Sequence, residues 1–140
     1  MFKVIIFSEF AQMCKILHKE FPKSLMIIGE TPQEERHKIL EEFRTNPEKQ
    51  ILIGSKAIEM AANIQSGDYV IHYDPTLTYS SYDQRCSRAR RQGRKDKVVS
   101  VRMVCKDTVE GKIYKLIERK KLISLLAMPY SELREELLDA

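Results

Sequence analysis

The densest chemistry in this 140-residue chain lies in QRCSRARRQGR, Gln84 to Arg94. Arg88 and Arg91 stand three apart and Gln84 four before Arg88, so on a helix all three share one face. Two guanidiniums and an amide on one face can clasp a polyphosphate, because arginine offers phosphate oxygens a planar, permanently charged fork. In phosphoryl transfer such an arginine neutralises charge developing on the γ-phosphate, an effect worth about 10³–10⁵ in rate. Arg85 and Arg90 point elsewhere, to surface or nucleic-acid contacts. The bland alternative for the same charges is a solvated basic helix face. The charge is local: Arg85, Arg88, Arg90, Arg91, Arg94, Lys95 and Lys97 face the single acid Asp96, whereas Ser131 to Ala140 is acidic and the whole chain carries +4. That balance is a mild lean toward a polyanionic partner.

Other chemistries have less to work with. Cys14, Cys86 and Cys105 form no paired or metal-ligand spacing, and His18, His37 and His72 are scattered, so no metal site is expected. There is no G-x-x-x-x-G-K-[ST] loop to cradle phosphates and no Asp-Glu pair after a strand to hold Mg²⁺. Glu110 to Lys112 reads EGK but falls within a helical pattern and lacks the upstream glycine. A flavodoxin-like small-ligand protein would need a glycine-bearing loop after the first strand, and SEFAQM has none. No apolar run approaches the roughly 20 residues of a membrane span. The apolar start MFKVIIFSEF is short, carries a glutamate and suits a strand better than a signal peptide. A cytoplasmic or nuclear protein, not a secreted one, is expected.

The elements that must position these residues alternate in type. Strands are predicted at Lys3–Phe7, Leu25–Ile28, Ile51–Ile53, Tyr69–Tyr73 and Lys97–Val104, where β-branched residues run nearly without interruption. Helices are predicted after Ser8 as N-cap, with Phe10, Met13, Ile16 and Leu17 at helical spacing, and after Thr31-Pro32 as cap and first turn, ending at Asn46-Pro47. Two more span Tyr79 to Gln92, and Thr108 to Leu126 with Thr108 as cap and Glu110 in the first turn. Pro129 precedes a last short helix from Ser131. Strands separated by crossovers imply an α/β fold, one domain with a mostly parallel sheet of about five or six strands and helices on both faces. Ligands in such sheets sit outside the carboxyl ends of the strands, which puts the segments after Phe7, Ile28, Ile53 and Tyr73 on one functional edge. A chain that opens directly on a core strand suggests a segment of something longer.

With these elements in place, the chain resembles the C-terminal RecA-like lobe of superfamily 2 helicases and translocases. Gln84, Arg88, Arg91 and Gly93 match the last motif of that family, with Ser87 standing where most members have glycine. Ile51 to Pro75 resembles the preceding motif, a strand, a Ser/Thr, a small-residue turn and then Asp or Asn; Ala61 replaces its usual glycine, and Ile58 and Glu59 stand where Snf-type members have more. Alanine resists the positive φ that glycine allows, so a more helical turn is expected here. VIIFSEF looks like the strand and turn that open the lobe, and Gly29, Arg36 and Phe43 match the glycine, arginine and phenylalanine that follow. The Thr-hydrophobic-Glu start at Thr108 selects the Snf-type branch, though Arg94 stands where its members commonly have glutamine. The likeness spans about Val4 to Lys121, leaving Ala127 to Ala140 unmatched.

The resemblance implies the second lobe, residues 1–126, of a nucleic-acid-dependent ATPase, with 127–140 a short helical extension. Arg88 and Arg91 would act as arginine fingers, with Gln84 and Asn63 facing the nucleotide. Ser55 would hold a nucleic-acid phosphate, with Gly29 turning the backbone toward it and Arg85 close by. Arg36 suits a phosphate contact and a helix carboxylate pair equally. ATP with Mg²⁺ would be held mainly by an N-terminal RecA-like lobe of the same protein, so the fragment alone is expected to be inactive. DNA is favoured over RNA as partner, and no membrane is. The rival expectation is a non-enzymatic RecA-like adaptor for nucleic acid or protein.

Overall fold

The computed structural model describes residues 2–60, 67–75 and 98–126. Five strands form one sheet, β1 (Val4–Phe7), β2 (Leu25–Ile27), β3 (Ile51–Gly54), β4 (Tyr69–His72) and β5 (Val99–Arg102), in the order β2-β3-β1-β4-β5. Every neighbouring pair is parallel. The described helices are α1 (Ala11–Glu20), α2 (Gln33–Thr45), α3 (Lys56–Met60) and α4 (Val109–Leu126). The expected α/β architecture is what forms, and it follows from the apolar runs. Side chains alternate across a strand, so a run without polar breaks must be covered on both faces.

The two faces have separate cores. Ile5, Phe7, Leu25, Ile27, Leu52 and Val70 pack with Phe43 of α2, flanked by Ile39 and Leu40. Ile6 and Ile53 point the other way, onto Cys14, Ala11 and Leu17 of α1. β1 is central and buried throughout from Ile5 to Phe7. Each such side chain contributes about 1.5–3 kcal/mol through removal from water. The expectation of Phe43 and Ile39 as core residues holds, but Phe10 and Ile16 are exposed. The sheet-facing stripe of α1 is Ala11, Cys14 and Leu17, spaced at one helical turn.

Lys3 closes the amino edge of the sheet. Its Nζ donates to the carbonyls of Asn46 (2.6 Å) and Lys49 (2.7 Å) and lies 5.1 Å from the Phe43 ring centroid. Burial pushes this amine below its ordinary pKa, against the opposing charge of Asp68. At the opposite margin β5 is exposed along its length. It is tied to β4 by the Ser100 Oγ–His72 Nε2 hydrogen bond of 3.0 Å. Arg102 lies over the Tyr114 ring of α4 and pairs with Glu118 at 2.7 Å, while Tyr114 and Ile117 are buried.

Three hydroxyls predicted as helix caps do other work. Ser8 is fully buried and donates to Asp74; α1 starts later, with Phe10 at its N-cap position. Thr31 Oγ1 accepts from Ile28 N (3.1 Å), and α2 starts at Gln33 behind Pro32. Thr108 precedes α4 as expected, but its hydroxyl donates to the Cys105 carbonyl (2.8 Å), while Glu110 accepts from Cys105 N (2.9 Å). In each case a nearer partner outcompetes the helix N–H groups. The predicted helix from Tyr79 to Gln92 and the segment 127–140 lie outside the described residues.

Candidate functional site

Because the strands are parallel, the turns that follow them converge on one edge. β1, β3 and β4 end level, with Phe7 opposite both Gly54 and His72. Beyond them the backbone keeps crossing between strands, from Ser8 N to Gly54 O (3.0 Å) and from Tyr73 N to Phe7 O (2.9 Å). The Asp74 carboxylate then joins β4 to β1. One oxygen accepts from Ser8 Oγ at 2.5 Å, and the other accepts from Glu9 N at 2.7 Å. Both Ser8 and Asp74 are buried, where charge-assisted hydrogen bonds are strongest.

Ser55 and Gly29 sit on adjacent turns of this edge. Ser55 N donates to Ile27 O at 3.2 Å, so the turn after β3 rests on the end of β2. Ser55 Oγ accepts from Ala57 N at 3.5 Å in the first turn of α3, and no acceptor among the described residues takes its hydroxyl hydrogen. The helical turn expected from the missing glycines is present as α3, Lys56 to Met60. Gly29 is exposed, and a Cβ built on it would meet nothing within 4 Å. Nothing internal therefore requires glycine there, which leaves close approach by an outside group as its use.

Arg36 takes neither of its expected partners among the described residues. Its Nε donates to Thr31 O (2.8 Å) and its Nη2 to Gly29 O (3.0 Å), so the guanidinium straps the turn that presents Gly29. Two lysines rim the same edge. Lys15 pairs with Glu30 at 3.4 Å, and Lys56 lies 3.8 Å from Glu9.

The sequence gave no warning of Gly54 or Asp74 as site-building residues. A Cβ at Gly54 would lie 1.7 Å from Ile58 Cδ1 and 3.0 Å from Ile27 O, so only glycine lets α3 fold back onto β2 and β3. The available signal was a glycine ending an apolar run. Asp74 was legible only as the strand stop before Pro75. Gln84, Arg85, Arg88, Arg91 and Asn63 all lie outside the described residues. Among the described residues no three His, Cys, Asp or Glu side chains gather to hold a metal ion, and no helix is long and apolar enough to cross a membrane.

The helicase conserved C-terminal domain family matches residues 1–93. Among curated proteins the chain is 32% identical over 127 residues to the DNA repair protein rad8 of Schizosaccharomyces pombe, covering 87% of this chain and 11% of rad8. It is 28% identical over 131 residues to the chromatin-remodeling ATPase INO80 of Candida albicans, covering 90% of this chain and 9% of that protein. The chain therefore spans about a tenth of the length of these relatives. Among solved structures, the C-terminal part of the Fun30 ATPase domain matches with a TM-score of 0.77 and 30% identity, over 83% of this chain and 39% of that one. The C-terminal domain of S. cerevisiae Dbp5, bound to Gle1 and IP6, shares the fold at a TM-score of 0.68 and 22% identity, over 84% and 68% of the two chains. With the strand order, the level carboxyl edge and these matches together, the chain belongs to the helicase conserved C-terminal domain family, as a RecA-like C-terminal lobe of the superfamily 2, Snf-type branch.

Proposed function

We propose that this lobe works as the second half of a nucleic-acid-dependent ATPase, a helicase or double-stranded DNA translocase. It closes on MgATP bound by an N-terminal RecA-like lobe of the same protein. Arg88 and Arg91 reach the phosphates and neutralise charge that develops during transfer, while Gln84 and Asn63 face the nucleotide. MgATP supplies the reacting phosphate. This chain supplies positioning, charge and release.

The observation that best supports the grip is the placement of Gly29 beside Ser55 on adjacent turns of the carboxyl edge. The exposed backbone at Gly29 allows close approach, and the Ser55 hydroxyl can donate to a phosphate oxygen. Arg36 shapes the Gly29 turn, and Arg85 adds positive charge nearby in the sequence. Contacts of this kind go to phosphate and carry little base information. DNA is favoured as the strand held, since rad8 is a DNA repair protein and INO80 a chromatin-remodeling ATPase. A nuclear or cytoplasmic setting follows from that role. Two grips, one per lobe, change their spacing as the lobes close and open, and the cycle moves the protein along its strand.

The decisive experiment uses the two-lobed protein. Arg91→Ala is expected to lower ATP turnover about 10³-fold, with ATP affinity affected much less. Unchanged turnover removes the arginine-finger role. The 140-residue chain alone is expected to show no ATPase activity.

A further inference from the structure

We propose that Glu9 is an electrostatic restraint on this grip: its fixed carboxylate engages Lys56 beside Ser55 and so weakens phosphate binding at that turn. The inference rests on the phosphate grip proposed above. Lys56 follows Ser55 directly, and its Nζ lies 3.8 Å from Glu9 Oε2. That separation is too long for a hydrogen bond, so the attraction is Coulombic and is easily exchanged.

The two partners differ in freedom. The Lys56 side chain is 64% exposed on a long flexible stem, whereas the Glu9 side chain is only 13% exposed. Glu9 is also anchored through its backbone, since its N–H donates to the buried Asp74 carboxylate at 2.7 Å. The lysine can swing away toward an arriving phosphate, but the carboxylate stays. A phosphate on Ser55 thus gains one cation and faces one anion at close range. The result is a grip that holds weakly and releases readily, as a strand-tracking lobe requires.

The test is binding of a labelled double-stranded DNA of mixed sequence to the 140-residue chain, by fluorescence anisotropy at several salt concentrations. Glu9→Gln keeps the side-chain shape and removes the charge. It is expected to tighten binding by about three- to tenfold at low salt, the effect of one unit charge at contact range in water. Lys56→Met is expected to weaken binding and to lower the salt slope by about one. Glu20→Gln is the charge-matched control, at the far end of α1 among residues of the amino edge. It is expected to leave affinity within about twofold, since the interaction decays over a Debye length. Thermal melts of each variant confirm that it is folded. If Glu9→Gln and Glu20→Gln shift affinity equally, or if Glu9→Gln weakens binding, the restraint is overturned while the grip stands. If neither the parent chain nor any variant binds DNA at low salt, the grip is overturned and the restraint with it.

Discussion

Asp74 at the end of β4 holds the Ser8 hydroxyl at the end of β1 at 2.5 Å, in a place where both residues are buried. The residues are 66 apart in the chain. Their bond fixes the turn that carries Glu9 against the point where the chain leaves β4 toward Gln84. The nucleotide-facing and phosphate-facing parts of the edge are thereby built on one shared contact.

That contact predicts a large cost for its removal. Asp74→Ala strands the Ser8 hydroxyl and the Glu9 N–H in the interior, and is expected to cost about 2–4 kcal/mol. Ser8→Ala leaves the carboxylate its bond from Glu9 N and is expected to cost about 1–2 kcal/mol. Urea denaturation of the two single variants and the double variant closes the cycle, with a double cost below the sum of the singles. Strict additivity would mean that the two side chains act independently.

The strands were legible because their cause is local. Val4–Phe7 and Ile51–Ile53 are short β-branched runs with no polar break, and only a sheet covered on both faces hides them. Their order was not legible, since nothing within β1 says that β3 and β4 are its neighbours. The errors at Ser8, Thr31 and Thr108 share one origin. A hydroxyl ahead of a helix is a cap only if no better partner is near, and the partner of Ser8 comes from β4. Gly54 escaped notice because the atoms that forbid a Cβ there belong to Ile58 and Ile27, brought close only by the fold.

The two glycines of the edge are expected to respond in opposite ways. Gly54→Ala forces a methyl into Ile58, a fully buried side chain, and against the Ile27 carbonyl. Overpacking of this kind costs about 1–3 kcal/mol. Gly29→Ala places its methyl in open space and is expected to change stability by less than about 0.5 kcal/mol. Its effect should appear instead as weaker DNA binding, because the added carbon stands where the phosphate backbone approaches. Paired denaturation and anisotropy measurements separate the two outcomes, and a Gly29→Ala chain that binds DNA as the parent does would remove Gly29 from the grip.

Arg36 provides the sharpest test of how that turn is held. Its fork spans the carbonyls of Thr31 and Gly29, and the compact ammonium of lysine cannot reproduce that planar two-point strap. If Arg36 acts by shaping the turn, Arg36→Lys weakens DNA binding nearly as much as Arg36→Met, although it keeps the charge. Both variants should also lose about 0.5–1.5 kcal/mol of stability with the strap. If Arg36 serves instead as a direct phosphate cation, Arg36→Lys retains most of the affinity and only Arg36→Met lowers the salt slope, by about one. The observed bonds favour the first outcome, since two of the guanidinium N–H groups are already committed to the backbone that presents Gly29.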